Sequence, residues 1–208
     1  MRRIIGKKYF WFLVVLCFVF TLSTASADGL KIDSKVRKNL PTTHKIEGME
    51  FISQGSYPES GAACIAMVLK FWGVDVSVNE VYEEVKDKYS PHFSFCGSMI
   101  QYPKKYTGLN TDFLVGSDKG SQKNLKYFLY KGYPLIAFTT PRKDSGYSKE
   151  GHYVVVVGYN EEGFYIVCPK DGEGFLTNKE FRYQHSMRWW RSWGGCGPFL
   201  TLIIYPEN

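Results

Sequence analysis

The sequence predicts an α+β domain, with helices first and an antiparallel sheet after them. Three observations lead there. Apolar residues recur at helical spacing in the first half, between capping and stop signals. Short β-branched and aromatic runs fill the second half. Two of those runs are joined by turn residues of the hairpin kind.

Taken in order, residues 28–45 are polar and sparsely basic and are expected to form a flexible, loosely ordered leader, with the domain occupying 46–208. Residues 49–52 read as a short strand. Over 61–72, Ala62, Ile65, Ala66, Leu69 and Phe71 carry helical spacing and Gly73 supplies the stop. Ser77-Val78-Asn79-Glu80 is a capping box that opens a second helix through Val81 and Val85. A third begins near Ser121, places Leu125, Phe128 and Leu129 on one face, and ends at Gly132. Residues 134–139 are a strand by composition. Residues 153–159 and 164–168 form a hairpin across Asn160-Glu161-Glu162-Gly163. A short helix is expected over 178–185 and a last strand over 199–205.

The chain opens with a segment of a different kind. Arg2, Arg3, Lys7 and Lys8 precede an apolar run from about Tyr9 to Leu22, and Ala25-Ser26-Ala27 offers a small-x-small cleavage site. This is the pattern of a secretory signal peptide over residues 1–27, with a retained membrane anchor as the alternative. Those four basic residues are among the 26 in the chain, and none of the 20 acidic ones lies there, so cleavage lowers the formal net charge from +6 to +2. The remaining charge gives no basic stripe of the kind that binds nucleic acid. No membrane association is expected once the signal is gone.

Cys64, Cys96, Cys168 and Cys196 follow the signal, and an exported chain meets conditions that permit disulfides. Four cysteines allow three connectivities. Cys96 and Cys196, both in Gly/Ser-rich surroundings, are the favoured pair. No C-x-x-C spacing or neighbouring histidine suggests a metal site, and no cofactor is expected.

Two short segments carry the candidate chemistry. The first runs from Gln54 through Ser60-Gly61-Ala62-Ala63-Cys64-Ile65-Ala66-Met67-Val68-Leu69, and the second is Gly151-His152-Tyr153-Val154-Val155-Val156-Val157-Gly158-Tyr159. Together they resemble the two halves of the site in the bacteriocin-processing, double-glycine leader cysteine peptidases. In that papain-like family a glutamine stands six residues before a C-G-x-A-x-x-A-M-x-L pattern. Gln54, Gly61, Ala63, Ala66, Met67 and Leu69 match, and Ser60 stands at the nucleophile. The resemblance implies a nucleophile opening a helix, His152 as base on a facing strand, and Gln54 as donor to the oxyanion. It also implies an Asp-Pro pair orienting the histidine, where this chain has Cys168-Pro169.

The substitutions bear on chemistry. A thiol near a helix N-terminus ionises readily, whereas a serine hydroxyl needs a base to take its proton. A cysteine at 168 brings no negative charge to stabilise imidazolium, and Asp171 lies only three residues on. Ser60 also has a plain reading as a helix N-cap, and Cys64, one helical turn beyond, reads as a buried core thiol. Gly61 and Gly151 suit the wall of an open cleft, while Trp190 and Trp193 either line a groove or pack beneath a loop. The expectation is a secreted peptidase-like protein with impaired catalysis that holds a peptide or partner segment in its former cleft. Hydrolysis by a Ser60–His152 dyad with Gln54 is the first alternative, and a structural or assembly role in the cell envelope the second.

Overall fold

The structure is a computed structural model that describes residues 30–55, 60–86, 96–115, 119–139, 151–185 and 200–207. The elements below belong to the unit that begins at Ile32. Residues 1–27, with the expected signal, and Trp190, Trp193 and Cys196 lie outside the described residues, as does the Cys96 side chain.

Helices come first. α1 (Ser34–Lys38) is capped by Asp33, whose carboxylate accepts from the backbone N–H groups of Lys35 and Val36. α2 (Ser60–Phe71) is buried from Ser60 to Leu69, so it is a core helix surrounded on all sides and not an amphipathic surface one. α3 (Val78–Val85) keeps the expected capping box between Ser77 and Glu80, an arrangement worth about 1 kcal/mol. α4 (Cys96–Thr107) follows with Pro103 inside it, and α5 (Lys119–Tyr130) and α6 (Asn178–His185) are the remaining helices among the described residues.

Among the described residues the sheet has seven strands: β1 (His44–Lys45), β2 (Asn110–Val115), β3 (Leu135–Thr139), β4 (His152–Tyr159), β5 (Gly163–Cys168), β6 (Gly172–Thr177) and β7 (Leu200–Tyr205). They run in the order β2-β7-β3-β4-β5-β6, with β1 paired to the end of β4. Every pairing is antiparallel. β4 is buried from Val154 to Tyr159, as a central strand must be, whereas the edge strand β6 is largely exposed.

Close strand contact explains two glycines. A Cβ on Gly158 would lie 2.4 Å from the carbonyl oxygen of His44, and one on Gly163 would lie 2.1 Å from that of Leu176. Both neighbours are backbone and cannot rotate away. The pairing of β4 with β5 also shifts register between Val156 and Gly158, the mark of a bulge.

Several expectations change. Residues 49–52 form no strand. Their neighbours His44 and Lys45 do instead, because they find a partner in Tyr159 and Gly158. The leader expected to be loosely ordered thus carries α1 and β1, and Thr43 Oγ1 donates to Tyr159 O at 3.2 Å. Cys96, expected in a loop, opens α4. The end of α2 is tied to the sheet by Trp72, whose indole N–H donates to Ile204 O at 2.8 Å. Phe164 of β5 stacks on Phe181 of α6 at 4.5 Å and lies beneath Lys126 of α5, which puts both helices on one face of the sheet.

Candidate functional site

The sheet and α2 meet at the first residue of that helix. Ser60 is 6% exposed, and its Oγ accepts a hydrogen bond from the backbone N–H of Tyr153 at 3.2 Å. The serine therefore sits within the helix and serves the strand. The cap reading would have its oxygen bonded to an N–H of its own helix. Because Tyr153 follows His152 on β4, the same bond brings the start of α2 beside the imidazole.

His152 opens β4 opposite Thr139 of β3, and Thr139 Oγ1 donates to its carbonyl at 3.0 Å. Its Nε2 lies 3.3 Å from Cys168 Sγ, at the end of β5. The thiol in turn donates to Asp171 Oδ2 at 3.3 Å. A thiol has one proton, so with that proton on Asp171 the sulfur acts as acceptor and takes the Nε2–H of the imidazole. This leaves Nδ1 as the unprotonated nitrogen. Asp171, three residues past Cys168 in a turn, reaches the histidine only through sulfur.

Burial lowers the His152 pKa from 6.5 to about 4, and the nearby Lys170 ammonium pushes the same way. The ring is therefore neutral at pH 7. An imidazole with so low a pKa is a weaker base than an unperturbed one. Cys64 offers no replacement nucleophile: it is 0% exposed, its thiol is free, and burial raises its pKa well above the ordinary value. Cys168 is also a free, buried thiol, so none of the three connectivities of four cysteines, each of which uses both residues, is formed.

Gln54 joins the group through its backbone N–H, which donates to the carbonyl of Pro169 at 2.9 Å. Gln54, Ser60, His152 and Cys168 are thus linked by contacts to one another or to each other's immediate neighbours. Gly61 is buried in the first turn of α2. Gly151 is half-buried, and a Cβ there would lie 1.7 Å from the Phe138 ring, so its bare α-carbon makes room for an aromatic side chain at the start of β4. The Tyr153 N–H and Lys170 are the participants that sequence reasoning missed: a main-chain donor leaves no mark on the His152 motif that contains it, and Lys170 lies in no motif.

Residues 59–195 match the model of the Peptidase_C39 like family. Among solved structures, one described as a C39-like peptidase from Bacillus anthracis is 18% identical, with a TM-score of 0.61, over 81% of this chain and 99% of that one. A double glycine motif protease from an AMS/PCAT transporter, solved with its leader peptide, is 23% identical with a TM-score of 0.55, again over 81% and 99%. A cysteine protease from Carica candamarcensis, in complex with E-64, is 13% identical with a TM-score of 0.54 over 81% and 100%. Curated proteins yield no match. The likenesses establish a papain-like α+β fold.

Proposed function

This chain belongs to the Peptidase_C39 like family, and from that premise we propose that it is an exported, catalytically impaired relative that holds an extended peptide or partner segment in the cleft beside Ser60 and His152. The observation that carries the proposal is the Nε2–Sγ contact at 3.3 Å. A cysteine stands where the imidazole needs a carboxylate, and the imidazole is held neutral by burial. Such a site keeps its shape while losing the charge that drives attack. The double-glycine protease noted above was solved with a leader peptide, which supports a peptide as the occupant here. Export follows from the signal pattern of residues 1–27.

A second reading, hydrolysis by Ser60 and His152 with Gln54 at the oxyanion, has one observation in its favour. The relay through Cys168 to Asp171 leaves Nδ1 unprotonated and fixes the tautomer a general base requires.

Fluorescence polarisation with labelled synthetic peptides ending in two glycines tests the first reading. We expect saturable binding that Ser60→Ala leaves unchanged and that His152→Trp, which puts bulk at the site itself, abolishes, with the fold of each variant checked by circular dichroism. Release of a cleaved fragment by the native protein would support the second reading. Binding that survives His152→Trp would remove the peptide from this cleft.

A further inference from the structure

A second concavity lies at the other end of β4, on the face covered by α5 and α6. From His152 to Tyr159 an extended strand spans roughly 23 Å, so this place is remote from the peptidase-like site. The cavity has a volume of about 420 Å³ and lies among α1, the segment 40–42, α5 and the start of α6. Arg37, Lys38, Lys123, Lys126 and Arg182 line it, against one carboxylate, Glu161. A concavity with so uneven a charge attracts anions, since fields from like charges add inside a low-dielectric wall.

Two further residues of the lining carry buried donors without partners. Gln122 is 9% exposed and its Nε2 makes no hydrogen bond; Tyr159 is 1% exposed and its hydroxyl makes none. An amide nitrogen only donates, and a phenol can donate. Native proteins leave few such groups unsatisfied, and each one calls for an explanation. Gln122 and Lys126 are four residues apart on α5 and so share one side of the helix. Lys126 is held in place: its Nζ donates to Asn160 O at 2.9 Å and lies 5.0 Å from the centre of the Tyr159 ring. Arg37 is likewise braced by a 2.8 Å bond to Asn124 Oδ1. Fixed cations beside unmatched donors are a preorganised receptor for oxygen acceptors.

We propose that this cavity binds a small phosphate ester, whose oxygens accept from Gln122 and Tyr159 and whose charge is matched by Lys126 and the surrounding arginines. The excess of cations selects a multiply charged group: a phosphate monoester carries about two negative charges at neutral pH, whereas a simple carboxylate carries one. Burial already lowers the pKa of Lys126, and a bound anion would reverse that penalty.

Isothermal titration calorimetry on the purified protein, at constant ionic strength, tests the proposal with glycerol 3-phosphate, inorganic phosphate and acetate. Glycerol 3-phosphate is expected to bind at one site and to raise the melting temperature, with acetate inert. Lys126→Gln and, separately, Gln122→Leu should each weaken binding by about tenfold, the loss of one good contact to a charged group. Two variants guard against a folding defect in either. Vesicles containing phosphatidic acid form a parallel arm. Binding to the free ester alone assigns a soluble ligand, and binding to both assigns a lipid headgroup of the same chemistry. No saturable heat with glycerol 3-phosphate up to about 10 mM, a concentration that detects even weak sites, would overturn the proposal and leave the two donors to water. So would binding that neither substitution alters.

Discussion

Replacing Ser60 with cysteine, Cys168 with aspartate and Asp171 with asparagine is expected to turn the chain into a working peptidase. Each change answers one feature of the geometry. A thiol at the first residue of α2 gains from the helix dipole, which a hydroxyl cannot use because it does not ionise. A carboxylate at 168 would face Nε2 from the position Sγ now holds, 3.3 Å away. It would raise the His152 pKa from its burial-depressed value of about 4 and stabilise the imidazolium. Asparagine at 171 prevents the new carboxylate from meeting a like charge, since Asp171 Oδ2 lies within 3.3 Å of the present sulfur. The substituted chain should cleave a labelled peptide in which two glycines are followed by a further segment at least ~100-fold faster than the native one, the lower end of what a positioned base contributes. Adding His152→Ala should abolish the gain. A variant that binds the peptide yet shows no thiol-dependent turnover would mean that more than these positions has been lost.

The second large effect is on stability. A histidine whose folded pKa lies below its unfolded one favours the fold only while it is neutral. The contribution is fully present above about pH 6.5 and is lost as pH falls towards the folded value of about 4. Between pH 7 and 4.5 this amounts to about 2 kcal/mol, after allowance for partial exposure of the ring. Urea unfolding of the native protein and of His152→Gln at both pH values isolates it, since the carboxylates titrate alike in the two chains. The native protein should lose about 2 kcal/mol more than the variant on acidification. Equal losses would show that the imidazole protonates in the fold as easily as in water.

Much of this was legible in the sequence wherever a signal is local. The capping box at Ser77 and Glu80, the hairpin turn at 160–163 and the positive-φ Gly73 that ends α2 each act within a few residues. α4 was not legible, because Pro103 removes a helical N–H and the opening Cys96-Gly97-Ser98 reads as a loop. β2 and β6 escaped for another reason: both lie at sheet edges, where half-buried Asp112, exposed Glu173 and the glycines of β6 are tolerated and no apolar alternation is imposed. β1 exists only because β4 offers it a partner.

The site divides in the same way. Motif spacing picked out Gln54, Ser60 and His152, and the missing Asp at 168. It gave no sign that Ser60 would accept from Tyr153 N–H, or that Cys168 would pass the Asp171 carboxylate on to the imidazole. Those contacts join residues that are adjacent only after the sheet has formed. The basic cavity is more extreme: Arg37, Gln122, Tyr159 and Arg182 share no motif and meet only where α1, α5, β4 and α6 converge.

The most direct test of a retained cleft with a weakened reaction is the reactivity of Ser60 itself. Native protein and His152→Ala are treated with a fluorophosphonate at neutral pH and mapped by mass spectrometry. The neutral, poorly basic imidazole predicts no modification of Ser60 in the native chain beyond that in the variant. Modification of Ser60 that disappears with His152→Ala would contradict it and establish a working serine–histidine pair.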